Sequence, residues 1–168
     1  MAIFDKPNKD RPKVSHKLTP LEMAVEAGAL IGIVANMLLF VYYWPKLPDV
    51  AAAGIGNTGL SRSAMFSFVT LMPMVIYLGA TVMGFFPRWY QYPVKITPEN
   101  AAREYGLAAN MLRVVKAEVV ICMLIVEWVL INIGMGQDMT LSPPFMILFL
   151  GLLALTILFF IYEMQKQK

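Results

Sequence analysis

Apolar residues fall in four runs, at about residues 24–43, 65–86, 117–135 and 145–162, separated by short polar stretches. Each run approaches or reaches the roughly 20 residues that a helix needs to cross about 30 Å of hydrocarbon. The pattern predicts an all-α integral membrane protein, a bundle of four helices. The first run is too long for a secretory signal and is followed by YYWPKLPD rather than by a small-residue cleavage site. We therefore expect a basic amino-terminal segment at 1–18 and one four-helix domain at 19–168.

One stretch breaks the pattern. YPVKITPENAAREYGLAANMLRVVKAEVVI holds a turn, a helix start and alternating charges between the second and third runs. Thr97, Pro98 and Glu99 read as a helix start, as do Thr19, Pro20 and Glu22 before the first run and Ser142 and Pro143 before the fourth. A helix from Pro98 to Gly134 is about 55 Å long, well beyond the hydrocarbon thickness. Its first turns should project from the bilayer as a platform carrying Arg103, Arg113 and Lys116, with Gly106 as a bend. Arg113 and Lys116 should snorkel towards phosphate. Trp89, Tyr90 and Tyr92 precede this helix as an interfacial aromatic belt.

Composition strengthens the membrane reading. Of 168 residues, 58% are hydrophobic and the mean hydropathy is +0.62, more apolar side chain than a soluble domain of this size can hide. Basic residues set the expected orientation. Lys6, Lys9, Arg11, Lys13 and Lys17 precede the first run; Arg88, Lys95, Arg103, Arg113 and Lys116 lie between the second and third; Lys166 and Lys168 end the chain. The first connection holds only Lys46 and Arg62, and the third holds none. Basic residues collect on the cytoplasmic side, so both termini and the middle connection should face the cytoplasm.

Candidate chemistry is sparse. His16 is the only histidine and Cys122 the only cysteine, so a catalytic triad, a disulfide within the chain or a thiol-rich metal site is not expected. No cofactor, no metal and no nucleic-acid partner is expected. Glu127 stands near the middle of the third run, where an ionised carboxylate costs at least a few kcal/mol. It is read either as a proton- or cation-linked site or as a hydrogen-bonded carboxyl joining helices, with Asn36 as its partner. The structural reading is preferred, because transport calls for chains of polar groups. Asn132, near the end of its run, is expected to be wet. Glu22 and Glu26 are read as caps and headgroup-level charges that pair with Arg113 or Lys116. The GIGNTG stretch at Gly54–Gly59 has dinucleotide-motif spacing but no strand–turn–helix around it, and is read as a tight loop. Pro73 should interrupt the second helix.

Two motifs carry a resemblance. Trp44, Pro45, Leu47, Pro48 and Asp49, followed by Gly59, and then Tyr92, Pro93, Ile96, Thr97, Glu99 and Asn100 are similar to the small membrane domain of unknown function found in SdpI-type immunity proteins and related short prokaryotic membrane proteins. The resemblance covers residues 20–132. It implies an extracytoplasmic loop after the first helix, a cytoplasmic turn before a long third helix, and a prokaryotic plasma membrane. The chain departs from the pattern at Gly54-Ile55, where the family has His-Phe, and in a shortened loop around Ser61-Arg62-Ser63. Expected function is association with a membrane protein, a peptide or a second copy, without catalysis. The alternative is an oligomeric transporter or channel using Glu127.

Overall fold

A computed structural model describes residues 11–14, 18–51 and 60–166. Gly54, Gly56, Gly59 and His16, and with them the loop expectation at GIGNTG, lie outside the described residues.

Among the described residues the protein is all-α apart from one two-stranded ladder. Helix α1 is Pro20–Tyr43 and opens on the expected capping box. The Glu22 amide donates to Thr19 Oγ1 at 3.3 Å, and the Thr19 amide donates to Glu22 Oε2 at 2.7 Å. A 3-10 turn at Trp44–Lys46 ends it. Val50–Ala51 then pairs antiparallel with Leu60–Ser61, Val50 opposite Ser61, a two-residue ladder the apolar pattern did not predict.

Helix α2 spans Arg62–Gly84 and is not uniform. Ser61 Oγ caps it by accepting from the Ala64 amide at 3.1 Å. After Arg62–Met65 the helix widens into a π-helix at Phe66–Leu71, then tightens again at Met72–Gly84. The Met72 amide reaches back five residues to Ser67 O. Pro73, just beyond, has no amide hydrogen to continue an i→i−4 ladder. The interruption expected at Pro73 therefore takes the form of a wider turn before it.

Helix α3 is Ala101–Gly134, 34 residues and about 51 Å long. It starts three residues later than expected. Asn100 uses its side chain on the turn: the Thr97 amide donates to Asn100 Oδ1 at 2.8 Å, and Asn100 Nδ2 donates to Lys95 O at 2.9 Å. Residues 98–100 are held as a turn by this clip, and the first helical bonds run from Ala101 and Glu104 back to the Thr97 and Asn100 carbonyls. Helix α4 is Pro143–Gln165. Ser142 and Pro143 stand at its start as expected, but the Ser142 side chain caps no amide; its carbonyl accepts from Phe145 instead.

Side-chain pairs fix the helix directions. Glu22 and Glu26 of α1 meet Arg113 and Lys116 of α3, and Asn36 meets Glu127 further along both, so α1 and α3 run parallel. Thr70 reaches Glu127 while Tyr77 reaches Glu26, so α2 runs opposite to both. Thr156 pairs with Glu118 and Arg103 with the Glu163 carbonyl, so α4 is antiparallel to α3. The directions alternate along the chain, as repeated crossing requires.

Helix α3 is the centre. Fifteen of its residues are buried, whereas α4 buries only Met164. One core joins Phe40, Met65, Val69, Cys122, Met123, Val126 and Leu130, and a second joins Ala29, Ile33, Tyr77 and Val120. Close approach is supplied by Gly32, where a Cβ would lie 2.6 Å from Val120 Cγ1. Small residues of this kind let helix backbones approach where lipid removes the hydrophobic drive for association.

The amino-terminal part of α3 extends past the start of α1, but it is not a bare platform. Tyr92, Ile96, Ala101, Tyr105, Ala108 and Met164 form a third core around it. The connection before α3, the end of α4 and the segment around Arg11 and Val14 cover it. The charged residues Arg103 and Glu104 fit this cover because they pair with each other at 2.8 Å.

Candidate functional site

Polar side chains gather at two levels of the bundle. The deeper level holds Glu127, which has no exposed surface, and Asn36, which is almost as fully buried. Asn36 Nδ2 donates to Glu127 Oε2 at 2.5 Å, the partnership expected from the sequence. Thr70 Oγ1 donates to Glu127 Oε1 at 3.5 Å, a long bond. Three helices thus converge on one carboxyl. Thr70 was not anticipated; its place inside the π-helix turns it towards α3, and a threonine within an apolar run leaves little trace in the pattern.

The second level lies about 15 Å away, ten residues back along α1. Lys116 Nζ donates to Glu26 Oε1 at 2.5 Å and to Thr81 Oγ1 at 2.9 Å, and sits 4.6 Å from the centre of the Tyr77 ring. Tyr77 OH donates to the same Glu26 oxygen at 3.0 Å. Lys116 is therefore buried and paired rather than snorkelling, because α1 and α2 supply acceptors next to its head. Arg113 lies 3.8 Å from Glu22 and donates to Asn110 Oδ1 at 2.6 Å. The expected pairing of Glu22 and Glu26 with Arg113 and Lys116 is present.

At the Trp44 end of the bundle, Arg62 organises the first motif. It binds Asp49 Oδ1 at 2.6 Å, donates to the Trp44 and Leu47 carbonyls at 3.0 and 3.3 Å, and stacks 4.7 Å from the Trp44 ring. Trp44 in turn packs on Phe40 and Phe66. Pro45 lies in the 3-10 turn, and Leu47 is buried between it and Pro48. The sequence reading has Arg62 as a charge and as part of the shortened loop, without these contacts. Asn132 is buried, not wet: its amide donates to the Trp128 carbonyl at 2.7 Å, so the helix itself satisfies it.

At the opposite end, Arg11 donates to the carbonyls of Arg88 and Tyr90 at 3.0 and 2.7 Å and lies over the Tyr92 ring. Tyr92 packs on Tyr105 and donates to the Pro87 carbonyl at 2.9 Å. Burial raises the pKa of the Tyr92 hydroxyl and pushes that of Tyr90 up to about 12. Burial also raises the Glu104 pKa, against the opposing pull of Arg103, and Glu104 Oε2 has no hydrogen-bond partner among the described residues. Glu99 is exposed at the turn, where a hydrogen bond from Thr97 lowers its pKa. Pro93 and Tyr92 line a cavity of about 400 Å³ with Trp89 and Met164.

A larger cavity of about 470 Å³ opens at the second polar level, lined by Arg113, Lys116, Glu26 and Thr81 with apolar walls from Leu112 and Phe85. Neither cavity is lined by Glu127. Among the described residues, no three His, Cys, Asp or Glu side chains come together as a metal site would require.

Three helices, Pro20–Lys46, Arg62–Gly84 and Pro143–Gln165, are long and apolar enough to cross a membrane, which is the signature of a multi-pass membrane protein. Comparison with protein-family models, with curated proteins and with solved structures returns no match. The resemblance drawn from the two motifs therefore stands on those motifs alone.

Proposed function

We propose that the chain is a four-span protein of a prokaryotic plasma membrane that acts by association, with a membrane protein, a peptide or a second copy as partner, and without catalysis. Helix α3 is the fourth span, and its polar amino-terminal part lies with both termini on the cytoplasmic side, following the basic residues. The observation that carries the reading is the sealing of Glu127. Its two oxygens are taken by Asn36 and Thr70, no cavity described here reaches it, and the other polar level lies about 15 Å away. A carboxyl held this way joins helices; it does not sit on a path. The apolar surface of α4, exposed along almost its whole length, meets lipid or an apolar partner.

A second reading keeps Glu127 as the working group of an oligomeric transporter or channel. It is favoured by the π-helix that delivers Thr70, since such segments often mark functional sites. Gentle purification from native membranes with mass spectrometry of co-migrating proteins tests the first reading, which expects a stoichiometric partner or a defined homo-oligomer. Specific proton or cation flux in proteoliposomes, abolished by Glu127→Gln, would refute it and establish the second.

A further inference from the structure

The cavity at the second polar level is separate from Glu127 and holds more polar donors than the joining of helices takes up. Its volume, about 470 Å³, falls in the range of small-molecule sites. Its lining is both apolar and polar. Leu112 and Phe85 offer apolar wall, Lys116 is bonded to Glu26 and Thr81, and Arg113 adds a second cation to the lining. The cavity lies where α1 begins and α2 ends, the level at which a bilayer's headgroups meet its acyl chains.

The polar groups are unequally engaged. Glu26 is committed to Lys116 and Tyr77, and two of the three Lys116 donors are committed to Glu26 and Thr81. Charge in that pair cancels. Arg113 differs. Among the described residues it donates one hydrogen bond, from Nη1 to Asn110, and its ion pair with Glu22 is long, 3.8 Å. Its side chain retains 18% exposure. A guanidinium presents five donors in a planar fork that matches two oxygens of a phosphate. Arg113 lines a cavity that Val14, Leu18, Phe85 and Leu112 also line.

We infer that this cavity binds a phosphate carried by an anionic lipid, with Arg113 as the anchor, Lys116 supplying its remaining donor, and the start of an acyl chain lying along Leu112 and Phe85. A free phosphate shares the head chemistry but would leave the apolar wall unoccupied. The cavity, not the sidedness of the chain or its mode of action, supports this site, so it stands or falls separately from the proposed association.

Native mass spectrometry of the full, delipidated chain tests it. The protein is titrated in detergent with phosphatidylglycerol, with phosphatidylcholine and with inorganic phosphate. Phosphatidylglycerol should be retained at least tenfold better than phosphatidylcholine, and inorganic phosphate should not compete at equal concentration. Arg113→Gln should lose about tenfold in retention, and Arg113→Lys should fall between it and the parent because charge survives while the fork is lost. Ala109→Phe, which fills the cavity without touching a charge, should also lose retention, whereas the exposed Lys166→Gln should not. Circular dichroism and monodisperse elution verify folding of each variant; if Arg113→Gln does not fold, Ala109→Phe carries the test. Equal retention of the two lipids, unchanged retention in Arg113→Gln and Ala109→Phe, or full competition by inorganic phosphate would overturn the assignment.

Discussion

Removing one member of the Asn36–Glu127 pair should cost more than its share of removing both. Asn36→Leu leaves the Glu127 carboxyl, with no exposed surface, only the long bond from Thr70. Glu127→Leu leaves the Asn36 amide, 2% exposed, without the acceptor that now sits 2.5 Å away. A buried polar group stripped of its partner costs about 1–3 kcal/mol, whereas replacing both partners by apolar groups of similar shape is close to neutral. Hydrogen bonds between helices in a bilayer are worth roughly 0.6–1.7 kcal/mol. Each single variant should therefore lose about 1–3 kcal/mol, and the double variant should lose less than the sum by about 1 kcal/mol or more. Equilibrium unfolding of the four proteins in mixed micelles, followed through the intrinsic tryptophan fluorescence, closes the cycle. Additivity within about 0.5 kcal/mol would mean that the two side chains do not interact, and the convergence of three helices on Glu127 would lose its energetic basis.

Gly32→Ala should destabilise the protein by about 1–3 kcal/mol in the same assay, because its Cβ would meet the stiff, buried Val120 side chain, while Gly28→Ala, with open space around it, should be near neutral. Arg62→Ala should loosen the segment from Trp44 to Asp49, seen as faster amide exchange at Leu47, at a global cost below about 1 kcal/mol because the Asp49 partner is largely exposed. Burial raises the folded-state pKa of Glu104 above its ordinary 4.5, so this residue favours folding most at acid pH and that contribution is lost as pH rises through the raised value. Melting temperatures compared between acid and neutral pH should fall more steeply in the parent than in Glu104→Gln; an equal slope in both would refute a role for that carboxyl. In a Cys122→Ala background, Lys166→Cys should be labelled by a membrane-impermeant thiol reagent only after the cells are opened, and Asp49→Cys before.

The parts of the fold legible in the sequence were those that apolar length and lone polar residues announce. Four runs gave four long helices, and Asn36 and Glu127, isolated among hydrocarbon, stood out as partners for each other. The start of α3 was misread because Thr97 and Pro98 resemble a cap, yet Asn100 spends its side chain holding the turn. The burial of Lys116 and Glu104 was not legible because a charged residue reads as exposed until its partner is located. Gly28-x-x-x-Gly32 was a readable signal of close packing. Structure uses only half of it, since Gly32 touches Val120 while Gly28 faces open space.

The two polar levels and Gly32 together form a ruler between α1 and α3. Glu26 with Lys116, Gly32 with Val120, and Asn36 with Glu127 are successive contacts between parallel helices. A slip of one turn, about 5.4 Å, would carry all three out of register at once, stranding a carboxylate, an ammonium and an amide in the interior. The apolar residues cannot enforce this, because Ile, Leu and Val along both helices would repack after such a slip at modest cost. Polar groups that contribute little net stability thus exclude the wrong registers by the cost of leaving them unpaired. For Glu127 to work as a transport group it would have to leave Asn36, one of the contacts that sets the register. That conflict is the physical reason for reading the carboxyl first as a joint between helices.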